Sequence, residues 1–349
     1  QLKLPPQPWE FRSKPAWQRL IIMLGGVTVN FILGFLIFGM MLWGYGKEYV
    51  QNDKLEYGIY VDSLGTELGL KDGDKIISIG GKPIVEFTPS VLRKEIVLNN
   101  AKQIILIRDS HEVKVTVDPA FVQVLSSNDY KDYDVIGPRI PFVVLKVTEG
   151  SNAEKAGLKT DDEILYVNNA PARYQHEVAK ALRKAKGEAI RLGYTRGGQP
   201  AEASVQVDEK GKIGIALKTA TEFGWTGRKD YTLAQAIPGG FTEGVAFMGD
   251  WFKGIAQLFR GNVKAKDSLG GFITITKLFS TSWDWESFWR ITGILSFILA
   301  IMNLLPIPAL DGGHVVFLLY EVITGRKPSD KFMEYATYVG FAIVLGLLI

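Results

Sequence analysis

The chain contains no cysteine, only three histidines, and no dense run of Lys or Arg among its 349 residues. The lack of cysteine excludes disulfides and thiolate metal ligands. The lack of a basic arm or stripe argues against nucleic acid as a partner. His111, His176 and His314 lie far apart in the sequence. We therefore predict no metal site made by the three of them together.

Charge is also absent from two long segments, Leu20 to Gly46 and Ile291 to Leu310. At about 1.5 Å per residue, a helix of either segment can cross a hydrocarbon core of about 30 Å. We predict transmembrane helices over 20–46 and 291–310. A shorter uncharged run, 335–349, is predicted to be a final transmembrane helix, with a buried or re-entrant helix as the alternative.

Basic residues predict the orientation of these helices. They lie before the first apolar segment and after the second: Lys3, Arg12, Lys14, Arg19, Arg326, Lys327 and Lys331. Because Lys and Arg favour cytoplasmic flanks, we place the juxtamembrane segment 1–19 in the cytoplasm and residues 47–290 on the opposite side. Aromatic residues fit an interfacial belt on that far side: Trp43, Tyr45, Trp283, Trp285 and Trp289.

The region between the apolar segments contains an internal repeat. Residues 69–84, GLKDGDKIISIGGKPI, align without gaps to residues 157–172, GLKTDDEILYVNNAPA. In this alignment the GG pair at 80–81 corresponds to the NN pair at 168–169, and both pairs suit a tight turn with positive φ. Strand-like stretches precede and follow each copy, with a helical stretch after the turn. The pattern predicts two small α/β domains, at 55–120 and 138–218.

The pattern AGLK-x-x-D-x-I, in this order of strands and helix, resembles the PDZ domain of bacterial proteases. PDZ domains bind extended peptides by adding a strand beside an exposed sheet edge. The resemblance therefore implies peptide ligands, and the alternative is a pair of domains that only space the membrane segments. The predicted fold class is an α-helical polytopic membrane protein with two tandem extracytoplasmic PDZ domains between its spans.

An amphipathic helix is predicted next, within a region that we delimit as 235–275, including a linker at 262–275. Apolar residues recur at spacings of four and three in 241–261, and the charged residues lie off that stripe. With an apolar segment close behind, the helix is expected to lie in the membrane interface and to contact the lipid bilayer. The alternative is packing on the neighbouring α/β domain.

The stretch NLLPIPALDGGH, 303–314, interrupts the second apolar segment. Pro306 and Pro308 oppose helix continuation, and such breaks at membrane depth are tolerated only inside protein or beside water. An acidic residue there, Asp311, is a functional candidate. Gly312 and Gly313 would permit a sharp turn that aims its carboxylate inward. The residues alone equally allow a simpler interpretation, in which Asp311 caps the next helix, predicted at 311–325. His314 is interpreted as a helix-start residue.

Two motifs together resemble the site-2 protease family of intramembrane zinc metalloproteases. N-x-x-P-x-P-x-x-D-G at 303–312 resembles its LDG motif, and GGVTVNFILG at 25–34 resembles its G-x-x-x-N motif. The order of spans, PDZ domains and interfacial helix resembles the regulator-of-sigma-E protease (RseP) branch. The resemblance covers essentially the whole chain and implies a bacterial inner-membrane location, with Asp311 near the cytoplasmic side.

The resemblance implies roles for individual residues. Asp311 would be the third ligand of a catalytic Zn²⁺, and Asn303 and Asn30 would contact substrate. Extended backbone around Ile307 to Leu310 would line the scissile segment, kept out of helix by the two prolines. The set of substrate-binding residues is Asn303, Asn30, Pro306, Ile307, Pro308 and Leu310, with Gly26 and Gly312 as motif glycines.

The family's H-E-x-x-H, which supplies two zinc ligands and the general base, does not occur in residues 1–349. Because the chain begins at Gln1 without an initiator Met, we expect this motif in an upstream part. The resemblance implies a membrane metalloendopeptidase that cuts trimmed single-span membrane proteins, such as anti-sigma factors or remnant signal peptides, with the PDZ domains as a size filter. The alternatives are a non-catalytic membrane PDZ scaffold, an inactive relative or, less favoured, a transporter.

Overall fold

The computed structural model describes residues 7–127, 134–261 and 283–348, so the predicted linker 262–275 and Ile349 lie outside the described residues. The described chain forms two compact units. We call residues 7–47, 229–256 and 283–348 the helical unit, and residues 48–228 with 257–261 the repeat unit.

The described elements are, in chain order, α1 Ala16–Tyr45, β1 Lys47–Gln51, β2 Ile59–Val61, α2 Ser63–Glu67, β3 Lys75–Ile79, β4 Lys82–Pro83, β5 Glu86–Phe87, α3 Val91–Arg93 (continued as a π-helical turn, Lys94–Leu98), β6 Gln103–Arg108, β7 His111–Thr116, α4 Pro119–Ser126, β8 Ile136–Pro138, β9 Val144–Val147, α5 Asn152–Lys155, β10 Glu163–Val167, β11 Ala170–Pro171, α6 Gln175–Lys184, β12 Ala189–Arg196, β13 Gln199–Gln206, β14 Ile215–Leu217, β15 Thr226–Lys229, α7 Leu233–Phe259, α8 Trp285–Leu304, α9 Asp311–Thr324 and α10 Asp330–Leu348.

Within the described residues, α1 and α8 are the helices long and apolar enough to cross a membrane. Helix α8 begins and ends earlier than the predicted span 291–310. Its start is set by Asp284, whose carboxylate accepts hydrogen bonds from the backbone N–H groups of Glu286 and Ser287. Its end precedes Pro306, which cannot continue the hydrogen-bond ladder. Helix α10 contains the predicted run 335–348 and extends it toward the N-terminus.

Helices α1 and α8 pack antiparallel through small residues. A Cβ on Gly34 would lie 2.9 Å from the Phe297 ring, and one on Gly293 would lie 2.8 Å from the Phe38 ring. Phe297 is fully buried and contacts the ring of Phe35 with their centroids 5.0 Å apart. Each glycine thus accepts an aromatic ring of the other helix, which brings the two backbones close.

The amphipathic helix predicted at 241–261 is part of the longer α7. Its N-terminal half packs on α1, since a Cβ on Gly240 would lie 2.3 Å from the backbone nitrogen of Gly39. A stripe at intervals of four residues stays exposed: Leu233, Ile237, Phe241 and Val245. Packing of this part of α7 on α1 is a contact that the sequence pattern did not predict.

The repeat unit contains two four-stranded antiparallel sheets with the same order. They are β4-β3-β6-β7 in the first repeat and β11-β10-β12-β13 in the second. The predicted tight turns are confirmed, because Gly80, Gly81, Asn168 and Asn169 all have positive φ, between 49° and 79°. Glycine and asparagine tolerate this region better than other residues.

Each repeat also forms a two-stranded ladder, β2 with β8 and β9 with β14. Strand β8 therefore belongs to the first repeat, although the predicted domain ended at residue 120. Phe121 and Leu125 of α4 complete the same core, together with Ala220 and Trp225 from beyond the second repeat. The first repeat extends past its predicted boundary because 55–120 alone leaves β2 unpaired and the core open.

A buried ion pair recurs in both repeats. Asp74 is 1% exposed and receives two hydrogen bonds of 2.7 Å from the Arg108 guanidinium. Asp162, 0% exposed, receives two of 2.8 Å from Arg196. These hydrogen bonds raise the pKa of both guanidinium groups above the ordinary value. Buried charges are tolerated because each carboxylate is fully paired.

Candidate active site at the end of the second apolar helix

Helix α8 ends in a turn of irregular backbone. The N–H of Leu305 donates to the carbonyl of Met302, and that of Ile307 donates to the carbonyl of Leu305 at 2.7 Å. The N–H of Leu310 then donates to the carbonyl of Ile307 at 2.8 Å, which closes a β-turn over 307–310. The prediction of extended backbone around Ile307 to Leu310 is therefore wrong. The segment is non-helical as expected, but it is folded back on itself.

Glycines allow helix α9 to begin directly against this turn. A Cβ on Gly312 would lie 2.2 Å from the Leu305 carbonyl oxygen, and one on Gly313 would lie 2.2 Å from the Pro308 Cα. Gly340 of α10 approaches from another side, where a Cβ would lie 2.7 Å from the Ala309 nitrogen. The turn is thus held by backbone-to-backbone contacts that only residues without Cβ permit.

Gly312 and Gly313 were expected to form a sharp turn that aims Asp311. Instead, both lie in the first turn of α9 with ordinary helical φ. These glycines let the start of α9 lie directly against the backbone of the preceding turn, and they do not adopt an unusual backbone conformation. The paired glycines at 312–313 are recognisable in the sequence, whereas the role of Gly340 is not, because its nearest neighbours, Pro308 and Ala309, come from a separate segment of the chain.

Asp311 is the first residue of α9, and its side chain is exposed. The N-cap position is occupied by Leu310 without a side-chain capping bond, so the interpretation of Asp311 as the helix cap is wrong. Within the described residues, its carboxylate makes no hydrogen bond or ion pair. At the helix N-terminus the charge is favoured by the macrodipole, and the carboxylate oxygens remain available to a ligand.

The other predicted residues lie in or near this turn and differ in how exposed they are. Asn303 is half-buried in the last turn of α8, Pro306 is exposed, and Ile307, Pro308 and Leu310 are half-buried.

The predicted motif residues on α1 lie opposite the end of α8. The antiparallel register of α1 and α8 pairs residue 34 with 297, which places Asn30 near the last turns of α8. Gly26, Asn30 and Gly34 share one face of α1 because they are four residues apart. A Cβ on Gly26 would contact nothing within 4 Å.

One carboxylate does not make a zinc site. Catalytic zinc takes three protein ligands, and the three-residue cluster of potential ligands found in the described part of the chain does not include Asp311. His314 lies one turn after Asp311, is exposed, and contacts the Phe317 ring. The residues of this turn therefore fit a contribution of one ligand and not a complete metal centre.

The sequence profile of peptidase family M50 matches residues 3–347. The chain belongs to peptidase family M50. This is the site-2 protease family that the motifs at 25–34 and 303–312 resemble. In this M50 chain, the two stretches that resemble family motifs lie on α1 and at the junction of α8 with α9.

Several similar proteins are provisionally named zinc metalloproteases. One from Neisseria meningitidis is 26% identical over 98% of this M50 chain and 79% of its own length. One from Campylobacter jejuni is 33% identical over 58% of this chain and 56% of its own length. One from a Nostoc species is 28% identical over 92% of this chain and 86% of its own length.

Among solved structures, the PDZ domain of an SdrC-like protein from Listeria innocua is similar to part of the M50 chain. It is 26% identical, covers 23% of this chain and 94% of its own, and has a TM-score of 0.21.

Proposed function

We propose that this chain supplies the part of an intramembrane zinc endopeptidase that carries the LDG motif. The enzyme would cleave single-span membrane proteins after their extracytoplasmic parts have been trimmed. The observation that carries the proposal is the chain-wide M50 match, together with an exposed, unpaired carboxylate directly after a broken apolar helix. A carboxylate in such a position is costly unless a cation or a specific partner offsets its charge.

In this proposal Asp311 supplies one zinc ligand, and the other ligands and the general base come from an H-E-x-x-H that residues 1–349 do not contain. When bound, zinc polarises the scissile carbonyl and lowers the pKa of a bound water. The residues of this chain hold the site in place. Gly312 and Gly313 fix the start of α9 against the 307–310 turn, and so fix the position of the Asp311 carboxylate.

The half-buried turn and the two asparagines are proposed to position the substrate. A transmembrane substrate must leave its helix before its backbone can bind to another surface, because helical carbonyls are hydrogen-bonded within the helix. Asn30 and Asn303 each carry an amide that can donate to a substrate carbonyl and accept from a substrate N–H. Their placement near the end of α8 supports contact with the same stretch of substrate as the turn.

The proposed topology places Asp311 toward the cytoplasmic side of a bacterial inner membrane. Because α1 and α8 are antiparallel, Tyr45 and Trp285 lie at the same end of the pair, as interfacial aromatics should. At the other end, Arg19 forms an ion pair of 2.5 Å with Glu321 of α9. The exposed apolar stripe on α7 is proposed to contact lipid.

We expect Asp311→Ala to remove one equivalent of zinc from the full-length protein purified in detergent, and to reduce cleavage of a single-span reporter to background. The physical reason is the loss of a negatively charged ligand that the remaining residues cannot replace. Zinc per chain is measured by atomic emission. Asp330→Ala is the matched control, because Asp330 is also an exposed residue in the first turn of a helix of the helical unit.

Equal zinc content and equal cleavage in Asp311→Ala and Asp330→Ala would contradict the proposed metal ligand. If neither protein nor wild type binds zinc, the membrane-anchored PDZ scaffold becomes the better explanation.

We further propose that the two repeats are PDZ domains that exclude bulky substrates from the site. Strands β1 and β15 are neighbours in one sheet, and Glu48 and Arg228 form an ion pair of 3.2 Å. Residues 48–228 can therefore be replaced by a short Gly/Ser linker. A deletion of 55–218 would instead leave Ala220 and Trp225 without their core.

The variant lacking 48–228 should cleave untrimmed and trimmed single-span substrates at similar rates, whereas wild type should prefer the trimmed one. The ratio of the two initial rates, measured in mixed micelles, is the readout. A variant that keeps the wild-type preference would refute the size-filter role while leaving the metalloprotease proposal intact.

A further inference from the structure

A second group of potential metal ligands lies in the repeat unit, where the two repeats meet. His176 is the second residue of α6, and its imidazole stacks on the ring of Tyr60 in β2, with centroids 4.8 Å apart and planes 18° apart. Asp72, in the loop before β3, and Glu177 complete the group. Asp72 and His176 thus come from different repeats.

Both nitrogens of the His176 ring are buried and have no hydrogen-bond partner. Nε2 lies 3.6 Å from an oxygen of Asp72 and 3.9 Å from an oxygen of Glu177. Both distances are longer than a hydrogen bond. A buried polar group without a partner requires an explanation, and an ion is one of the ordinary explanations.

The spacing of these atoms matches a metal centre. Zinc bonds of about 2.1 Å in a tetrahedral arrangement hold neighbouring ligand atoms about 3.4 Å apart. The three ligand atoms here all lie within 4.8 Å of one another, and the two distances from Nε2 are within about half an ångström of that value. A cation between them would need only small side-chain shifts.

The second oxygen of each carboxylate is held by backbone. Asp72 Oδ1 accepts from the N–H of Val61 at 2.7 Å. Glu177 Oε2 accepts from the N–H groups of Arg173 and Tyr174 at 2.8 and 3.1 Å. Hydrogen bonds of this kind orient metal ligands and increase their affinity. Each carboxylate is thus fixed through one oxygen. The other oxygen lies within 3.9 Å of His176 Nε2, and that of Glu177 also accepts a hydrogen bond of 3.4 Å from Arg139.

An imidazole ring nitrogen is an ordinary ligand of metal ions of the zinc class. Burial is the main reason that the pKa of His176 is lowered from its ordinary value; Arg139 also lowers it, and Asp72 and Glu177 act in the opposite direction.

Arg139 is the group that opposes a cation here. Its guanidinium lies 3.4 Å from Glu177 Oε1 and stacks over the Tyr174 ring at 3.9 Å. A positive charge beside a ligand oxygen repels a cation bound to that oxygen. Arg139 therefore lowers the affinity of the cluster and makes binding sensitive to its own position.

We propose that Asp72, His176 and Glu177 bind a divalent transition-metal cation of the zinc class, which joins the first repeat to the second. Mixed imidazole and carboxylate ligands select this class over calcium or magnesium. At the repeat offset that pairs Asp74 with Asp162, the counterparts of Asp72 and His176 are Thr160 and Thr88. The repeat therefore does not duplicate the cluster. This is expected of a site to which both repeats contribute ligands. It is independent of Asp311 and of the proposed protease activity.

The test is zinc binding by the full-length protein in detergent, in competition with a chromophoric chelator. His176→Gln should weaken the affinity for one zinc equivalent by roughly 100-fold or more. Loss of a group that only supports a ligand costs about 10- to 100-fold in metal affinity, and this substitution removes a ligand itself. Asp72→Asn should do the same while retaining the acceptor for Val61. His111→Gln is the matched control, since His111 is an exposed histidine of the first repeat.

In the Asp311→Ala background, which lacks the proposed catalytic zinc, added zinc should raise the apparent Tm of the protein and of its His111→Gln variant but not that of its His176→Gln variant, because a ligand stabilises only the state that binds it. Asp311→Ala should retain the His176-dependent equivalent, which separates this site from the proposed catalytic one. Identical zinc affinity in His176→Gln and His111→Gln would overturn the proposal.

Arg139→Gln supplies a test in the opposite direction. Removing the nearby positive charge should tighten zinc binding on the order of tenfold. A cluster that serves only as an ion-pair network would show no such gain, and an unchanged affinity would place the bound zinc away from Glu177 and contradict the assignment.

Discussion

Gly313→Ala should reduce proteolysis by about 100-fold and lower the apparent Tm of the protein. The new Cβ would lie 2.2 Å from the Pro308 Cα and 2.5 Å from the Ile307 carbonyl oxygen. Both are backbone atoms, so no side-chain rotation relieves the overlap. Overpacking of this kind costs about 1–3 kcal/mol. Relief requires α9 to move away from the turn, and a displacement of about 1 Å in a catalytic group can cost 10²-fold in rate.

The matched control for Gly313→Ala is Gly44→Ala. Gly44 lies near the end of α1, and a Cβ there would contact nothing within 4 Å. Alanine has a higher helix propensity than glycine, so Gly44→Ala should be neutral or slightly stabilising. Thermal unfolding and reporter cleavage are measured on both variants. Wild-type cleavage by Gly313→Ala would show that the close contact with the turn does not position the site.

Arg108→Met should destabilise the first repeat by about 3–5 kcal/mol, because it leaves the buried Asp74 carboxylate without its counter-charge. The carboxylate would keep a single hydrogen bond, from the N–H of Lys71 at 2.8 Å. Methionine retains much of the arginine stem, so the effect reports the charge more than lost packing. Urea unfolding, followed by tryptophan fluorescence, measures the change through Trp225, which lies in the same core.

Two comparisons isolate the buried charge in this experiment. Arg191→Met removes an exposed arginine that pairs with Glu202, where both side chains are 57% exposed, and should cost at most about 1 kcal/mol. Adding Asp74→Asn to Arg108→Met should restore part of the lost stability, since the uncompensated charge is then gone. If Arg108→Met and Arg191→Met have equal effects, the buried pair does not contribute as proposed.

Local features were predictable because they depend on residues close together in the chain. The alignment of 69–84 with 157–172 predicted two similar modules, and the GG and NN pairs predicted turns with positive φ. Pro306 and Pro308 predicted the break after α8. These signals act through backbone conformation, which one or two residues can decide.

Features that depend on distant segments were predicted incompletely. The first repeat needed β8, α4 and Trp225 to close its core, and none of these lies inside 55–120. The turn over 307–310 was expected to be extended, and its folded form is supported by contacts from Gly313 and Gly340. The role of Asp311 as a zinc ligand stays a prediction, and the tight packing around the start of α9 depends on contacts that no local pattern predicts.

The sequence by itself determined the family, the two long apolar segments, the repeat and the break after α8, because each depends on a contiguous pattern of residues. Only the tertiary structure decided which groups meet. It brought Asp72 beside His176 and Glu177, although the three histidines considered as a set had predicted no site. It also revealed that Asp74 and Asp162 are paired and buried while Asp311 is exposed. Burial and ligand geometry arise from contacts between segments far apart in the chain, and no local pattern encodes such contacts.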